Sequence, residues 1–264
     1  MLLLERLLNE FPSAKRQTLK RMLQAGRVTV NGVPATHLKQ TIGQKDVVRV
    51  DAPQKTGPIR LPFPIVYEDD EIIVIDKPAG LLTSTVAREP RPTALAALRG
   101  RGRVGLIHRL DRDASGLLVF SKTTAALASL KSQFFHHSAT RIYQAIVSPP
   151  PPKENGTVKS VLSERTDGTV HSIHSRGKLA ITHYQQIRRV GELAILRVTL
   201  ETGKKHQIRA HLSEMGAPIV GDSLYGGLPH RNGLMLAAVE LQIEHPLTKK
   251  RMVFRIDPPK RMKV

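Results

Sequence analysis

Apolar positions in the first fifty residues fall at helical spacing twice. Leu3, Leu4, Leu7, Leu8 and Phe11 recur every three or four residues, one face of a short helix. After Pro12, Ser13 is a suitable N-cap, Leu19, Met22 and Leu23 form a second stripe, and Gly26 is a stop signal just past its end. The period then changes to two in Arg27-Val28-Thr29-Val30, followed by a tight turn at Asn31-Gly32 and a later strand from Asp46 to Val50. Asp51 to Pro64 contains Pro53, Gly57, Pro58, Pro62 and Pro64 with little apolar periodicity, which reads as a linker. The pattern thus predicts a small domain over 1–50, a linker over 51–62 and a large domain over 63–264.

Within the large domain, strands are expected at Ile72 to Ile75, Leu117 to Phe120, Ile142 to Val147, Leu193 to Leu200 and Met252 to Ile256. Helices are expected at Thr93 to Leu98, Thr124 to Phe135 and Gln207 to Met215. Strands outnumber helices and many are joined by loops, so the fold class is α+β, built on a mixed, largely antiparallel sheet. Four consecutive prolines, Pro149 to Pro152, cannot lie inside a central strand and mark a rigid surface loop. No internal repeat is visible.

Composition narrows the function classes. Apolar residues make up 40% of the 264-residue chain, enough for a packed core, while 41 Lys and Arg against 22 Asp and Glu leave a net charge of +19. That excess points first to nucleic acid and second to an anionic membrane surface. Residues 1–62 carry +7 of it, the denser share. There is no Cys, which excludes disulfides, thiolate metal sites and the Cys nucleophile that carbon-5 uridine methyltransferases require. Glu5 and Arg6 interrupt the opening apolar residues before a leader's core can form, and no run approaches a membrane span.

Two segments carry most of the chemistry. In His108-Arg109-Leu110-Asp111-Arg112-Asp113-Ala114-Ser115-Gly116, Asp111 stands where the run Val104 to Leu110 ends. There a carboxylate can face a cleft, or Asp111 or Asp113 can simply cap the Ser115-Gly116 turn. In Glu201 to Leu212 a strand passes through a basic Gly turn into a helix, so Lys204, Lys205 and the backbone amides form either a phosphate site or a solvated basic turn. The histidines lack metal-ligand spacing, and neither a Walker A sequence nor a dinucleotide fingerprint occurs. No metal, nucleotide or other cofactor is expected.

Taken in order, Asp76-Lys77-Pro78-Ala79-Gly80, His108 to Leu118, Arg141-Ile142-Tyr143, Gly203 to Arg209, Gly221-Asp222, Tyr225-Gly226 and Glu244-His245-Pro246 resemble the RluA-type pseudouridine synthases across residues 64 to 258. Residues 1–50 resemble the S-four-type RNA-binding domain through Phe11-Pro12, Lys15-Arg16, Gly26, Val28, Val30-Asn31-Gly32 and the Asp46 strand. The resemblance implies a synthase catalytic domain behind a small αL RNA-binding domain, isomerising specific uridines in structured RNA to pseudouridine. It implies Asp111 as the catalytic carboxylate, acting as a nucleophile or as a base at the sugar. Arg209 is implied as the cation that favours its charged form, and Tyr143 as the ring that stacks on the target base. Arg109 is implied either to take the place of the flipped base or to contact RNA. Lys204 and Lys205, with Lys15, Arg16, Lys20 and Arg21 of the second helix, are the expected phosphate contacts. Ribosomal RNA is the preferred substrate and transfer RNA the second; a cytoplasmic monomer without a membrane partner is expected. Ala114, Lys204, Leu82-Thr83-Ser84-Thr85 and Met235-Leu236-Ala237-Ala238 depart from the family pattern. The alternative is a non-catalytic RNA-binding or ribosome-assembly protein that keeps the fold.

Overall fold

The computed structural model describes residues 1–24, 26–51, 61–85, 91–175, 177 and 179–263, and of Arg21 and Gln24 the backbone alone. The linker expected at 51–62 falls almost wholly outside the described residues. The chain divides into two compact units, Met1–Arg60 and Leu61–Val264.

In the first unit, α1 (Leu3–Glu10) buries Leu3 and Leu7, and the Glu5 carboxylate accepts the Leu2 amide at its start. Helix α2 (Arg16–Gln24) begins later than expected. The Ala14 amide returns to the Phe11 carbonyl, so the chain turns over Pro12 and Ser13 before any helix forms. Lys15, not Ser13, occupies the N-cap place, its carbonyl accepting the Thr18 and Leu19 amides. At the other end Gly26 has φ +68°, and the Gly26 and Arg27 amides close on the Leu23 and Met22 carbonyls, the left-handed cap that glycine makes possible.

Strands β1 (Val28–Val30), β2 (Val33–Pro34) and β3 (Val48–Val50) form an antiparallel sheet in the order β2-β1-β3. Asn31 and Gly32 both take positive φ in the tight turn. The strand expected from Asp46 starts at Val48 instead, because the Asp46 carboxylate accepts from the Gly43 amide and the Asn31 side chain and is held in a turn. Leu3, Leu7, Leu19, Leu23, Val28, Val30, Ala35 and Ile42 make the core of this unit.

The second unit is built on one mixed sheet. Its elements run β4 (Ile65–Glu68), β5 (Ile72–Lys77), α3 (Ala94–Ala97), β6 (Gly105–Leu106), β7 (Ser115–Ser121), α4 (Thr124–Phe135), β8 (Thr140–Val147), β9 (Asn155–Glu164), β10 (Val170–Ile173), β11 (Leu179–Val190), β12 (Leu193–Leu200), α5 (Gln207–Glu214), β13 (Leu236–Glu244) and β14 (Arg251–Arg255). The strand order is β10-β9-β11-β12-β8-β13-β7-β5-β4, with β14 pairing β13 and β6 pairing β7. Among the strands named, only β13 and β7 pair in parallel, so the sheet is antiparallel everywhere else.

Both faces of the central strands are covered, which explains the unbroken apolar run of β5. Ile72 and Val74 pack with Leu117, Val119 and Leu130 of α4, while Ile73 and Ile75 pack on the opposite face with Leu118, Phe120, Tyr143 and Leu212 of α5. Helix α4 starts at a Thr123 cap whose hydroxyl accepts the Ala126 amide, and α3 is capped by Thr93 in the same way. No helix among the described residues is long and apolar enough to cross a membrane.

Candidate active site

Asp111 sits in an irregular segment, because the run leading to it is strand only at β6. Side chains and amides from residues 77–83 hold the segment in place. The Thr83 hydroxyl donates to the Leu110 carbonyl at 2.8 Å and accepts its amide at 3.2 Å. On the other side of Asp111, the Arg112 carbonyl accepts the Gly80 amide and the Lys77 ammonium, at 2.8 and 3.1 Å. Lys77 is fully buried at the end of β5 and donates also to the carbonyls of Pro78 and Leu81. Burial pushes its pKa down to about 8 against the attraction of Asp111 and Asp113. The carboxylate is therefore fixed by backbone carbonyls gathered around a buried cation. Asp113 pairs with Arg112 and Asp111 with Arg209, and among the described residues neither carboxylate accepts a hydrogen bond from the Ser115-Gly116 turn.

The second half of the site comes from the turn between β12 and α5. Gln207 organises that turn: its side-chain oxygen accepts from Thr202 Oγ1 and the Lys204 amide, and its nitrogen donates to the Ile181 carbonyl and Thr182 Oγ1. One amide expected at an anion site is thus already taken. His206, at the N-cap of α5, adopts the left-handed conformation with φ +50°. Lys205 reaches out to Glu164 in an exposed ion pair.

One turn into α5, the Arg209 guanidinium is 4% exposed and forms two parallel hydrogen bonds with Asp222, both 2.7 Å. Its Nη1 also approaches Asp111 Oδ2 at 3.4 Å, and its Cζ lies 5.0 Å from the centre of the Tyr225 ring. Asp222 is the closer partner and Asp111 the looser one, a division that Arg209's expected pairing with Asp111 left out. Against the opposing effect of burial, the two carboxylates raise the already high pKa of Arg209. His206 Nε2 stands 3.9 Å from Asp111 Oδ1 while its Nδ1 contacts the Tyr225 hydroxyl at 3.0 Å. Burial holds this imidazole below its ordinary pKa.

These groups open on one cleft of about 370 Å³, lined by Arg109, Asp111, Tyr143, Lys204, His206 and Arg209 beside the apolar Leu110, Ala114, Leu200, Ile208 and Leu236. Five residues singled out in the sequence therefore converge: Arg109, Asp111, Tyr143, Lys204 and Arg209. Tyr143 is 6% exposed on β8, and burial raises its pKa, so its ring is presented as a neutral face. Arg109 is exposed at the rim. Lys15, Arg16 and Lys20 lie exposed in the first unit, and the side chain of Arg21 falls outside the described part.

Asp222, His206, Thr83 and Lys77 join the site without having been singled out for it. A signal existed for two of them. A lysine closing an apolar strand needs buried acceptors, and a buried arginine needs a second carboxylate.

Comparison with known proteins shows which family the chain resembles. The family model described as RNA pseudouridylate synthase matches residues 71–214. The ribosomal large subunit pseudouridine synthase D of Yersinia pestis is 37% identical over 231 residues, covering 83% of this chain and 71% of that protein. An uncharacterised RNA pseudouridine synthase of Synechocystis is 32% identical over 265 residues, covering 92% and 81%. Among solved structures, the human RNA pseudouridylate synthase domain containing 1 superposes with a TM-score of 0.63 at 24% identity, covering 77% of this chain and 86% of that one. Human RNA pseudouridylate synthase domain containing 4 gives 0.61 at 23%, covering 75% and 89%. These two likenesses support the fold.

Proposed function

The chain belongs to the RNA pseudouridylate synthase family, and on that premise we propose that its cleft isomerises a uridine of ribosomal RNA with Asp111 as the reacting carboxylate. The reaction breaks the bond between uracil nitrogen 1 and the sugar, turns the base, and joins carbon 5 to the anomeric carbon. The hydrogen on carbon 5 leaves as a proton, nitrogen 1 gains one, and no electrons change hands. Whether the carboxylate attacks as a nucleophile or removes a proton from the sugar, it must be ionised. The buried guanidinium of Arg209 beside it supplies the opposite charge, and Asp222 fixes that guanidinium so that one edge remains for Asp111.

The base must leave the RNA stack to reach this carboxylate. Tyr143 offers the aromatic face on which it lies, Arg109 at the rim fills the space it vacates or grips the strand, and Lys204 meets phosphate. In the first unit, Lys15, Arg16, Lys20 and Arg21 meet further phosphates, and Lys205 adds long-range attraction. Ribosomal RNA is favoured because relatives over most of this chain carry the name of ribosomal large subunit synthases.

The observation that carries the reading is Asp111 in one cleft with Tyr143 and within 3.4 Å of Arg209. It is tested with ribosomal RNA from cells lacking the protein, tritiated at carbon 5 of uridine. The expected result is tritium release that stops at a small whole number of equivalents. Retention of the RNA without release from ribosomal or transfer RNA would instead support the binding-module alternative.

A further inference from the structure

Arg141 belongs to the Arg141-Ile142-Tyr143 segment, of which only Tyr143 has been given a role. It is 8% exposed, and standing two residues before Tyr143 on β8 it leaves the same face of the strand. Its guanidinium makes no hydrogen bond or ion pair with any described residue. Nε is sealed from solvent without an acceptor, and a ring contact lies 5.3 Å from Cζ, at Phe134 of α4.

Among the described residues, none that contacts the guanidinium supplies a negative charge. Phe134 is apolar, and His108, stacked on Phe134, has its pKa pushed down to about 3 by burial and then by Arg141 itself, so it is neutral. From the turn between β12 and α5, Gly203 lies close to the guanidinium, near enough that a Cβ there would press on Nη1, the movable end of the arginine, and the next residue is the cationic Lys204. Asp111, the acid of the adjacent cleft, faces Arg209. A buried, unpaired cation is costly to the folded state, so its presence calls for an anion that arrives from outside. Nε alone among its nitrogens is both sealed and partnerless, which leaves the Nη edge as the face that an anion can reach.

We propose that Arg141 anchors a backbone phosphate of the substrate RNA beside the reacting uridine, with the phosphate entering over the Gly203-Lys204 turn and sharing its charge with Lys204. The proposal rests on the synthase reading of the cleft. It gives the partnerless arginine a ligand.

The test uses the full chain carrying Arg141→Met or Arg141→Lys, with ribosomal RNA from cells lacking the protein as the probe. Thermal melts without RNA, RNA affinity across a salt series and tritium release are measured for each. Removing an unpaired charge is expected to leave the melting temperature of the Met variant unchanged or higher. Its plot of log affinity against log salt should be shallower by about 0.7 to 0.9, the contribution of one phosphate contact. Half-saturating RNA should rise roughly tenfold, with turnover at saturation kept within a few-fold. The Lys variant should retain the wild-type salt slope. A lower melting temperature in the Met variant, or a wild-type salt slope in it, would overturn the proposal. A wild-type protein that releases no tritium would defeat the synthase reading instead, while melts and salt slopes still report on Arg141.

Discussion

Arg209 illustrates how two carboxylates divide one cation. Asp222 holds it bidentately and in full burial, so Asp222→Asn leaves a buried guanidinium with half its charge partners. A loss of about 3 to 5 kcal/mol is expected by urea unfolding, together with a fall in turnover as the guanidinium shifts away from Asp111. Wild-type stability in that variant would mean that the pair is not what fixes Arg209. Lys77 makes a pH-dependent contribution. Below pH 8 both folded and unfolded chains hold its proton, and the folded chain bears the cost of burying the charge. Between about 8 and the ordinary 10.5 the unfolded chain binds more protons, so the stability contributed by Lys77 rises with pH. Relative to Lys77→Met, the wild type should gain roughly 2 to 3 kcal/mol across that window. A difference that stays flat from pH 7 to 10.5 would contradict it. Asp111, Tyr143 and Arg209 could be singled out in the sequence because the order of the motifs around them resembles a known family, and the structure brings the three to one cleft. His206 could not, because its place beside Asp111 depends on how the turn into α5 folds, and the weak signal for Asp222 appears only once Arg209 is known to be buried.

At the level of elements, legibility followed burial. β12 and α4 match their expected limits because the apolar periodicity of each runs its full length. β9, β11 and β13 were not foreseen. β9 is partly exposed along its whole length and the second half of β11 faces water, so pairing with neighbours, not an apolar pattern, makes them strands. β13 is buried but interrupted by Ala237, Ala238 and Glu240, small or charged residues that a search for β-branched runs passes over. Its parallel contact with β7 is close at Gly116, where φ is +112° and a Cβ would collide with the Ala238 carbonyl oxygen. Gly116→Ala combines backbone strain with that collision and should cost at least about 3 kcal/mol. Thermal unfolding checks this, and a shift of less than a degree would show that the two strands can separate there without loss.

For the whole molecule, the division into Met1–Arg60 and Leu61–Val264 suggests that RNA grip and chemistry can be separated, since every residue lining the cleft belongs to the second unit. A fragment beginning at Leu61 should fold, bind long RNA more weakly with a shallower salt slope, and still release tritium at saturating RNA. An unchanged slope would show that the first unit makes no phosphate contacts, and a folded but inactive fragment would place part of the chemistry outside the second. The central claim is that Asp111 reacts while the rest of the protein binds and positions the RNA. The most direct measurement is single-turnover tritium release by the full chain with Asp111→Asn, an amide of nearly the same shape without the charge. The expected result is RNA affinity equal to wild type with no detectable release; release within tenfold of the wild-type rate would contradict it.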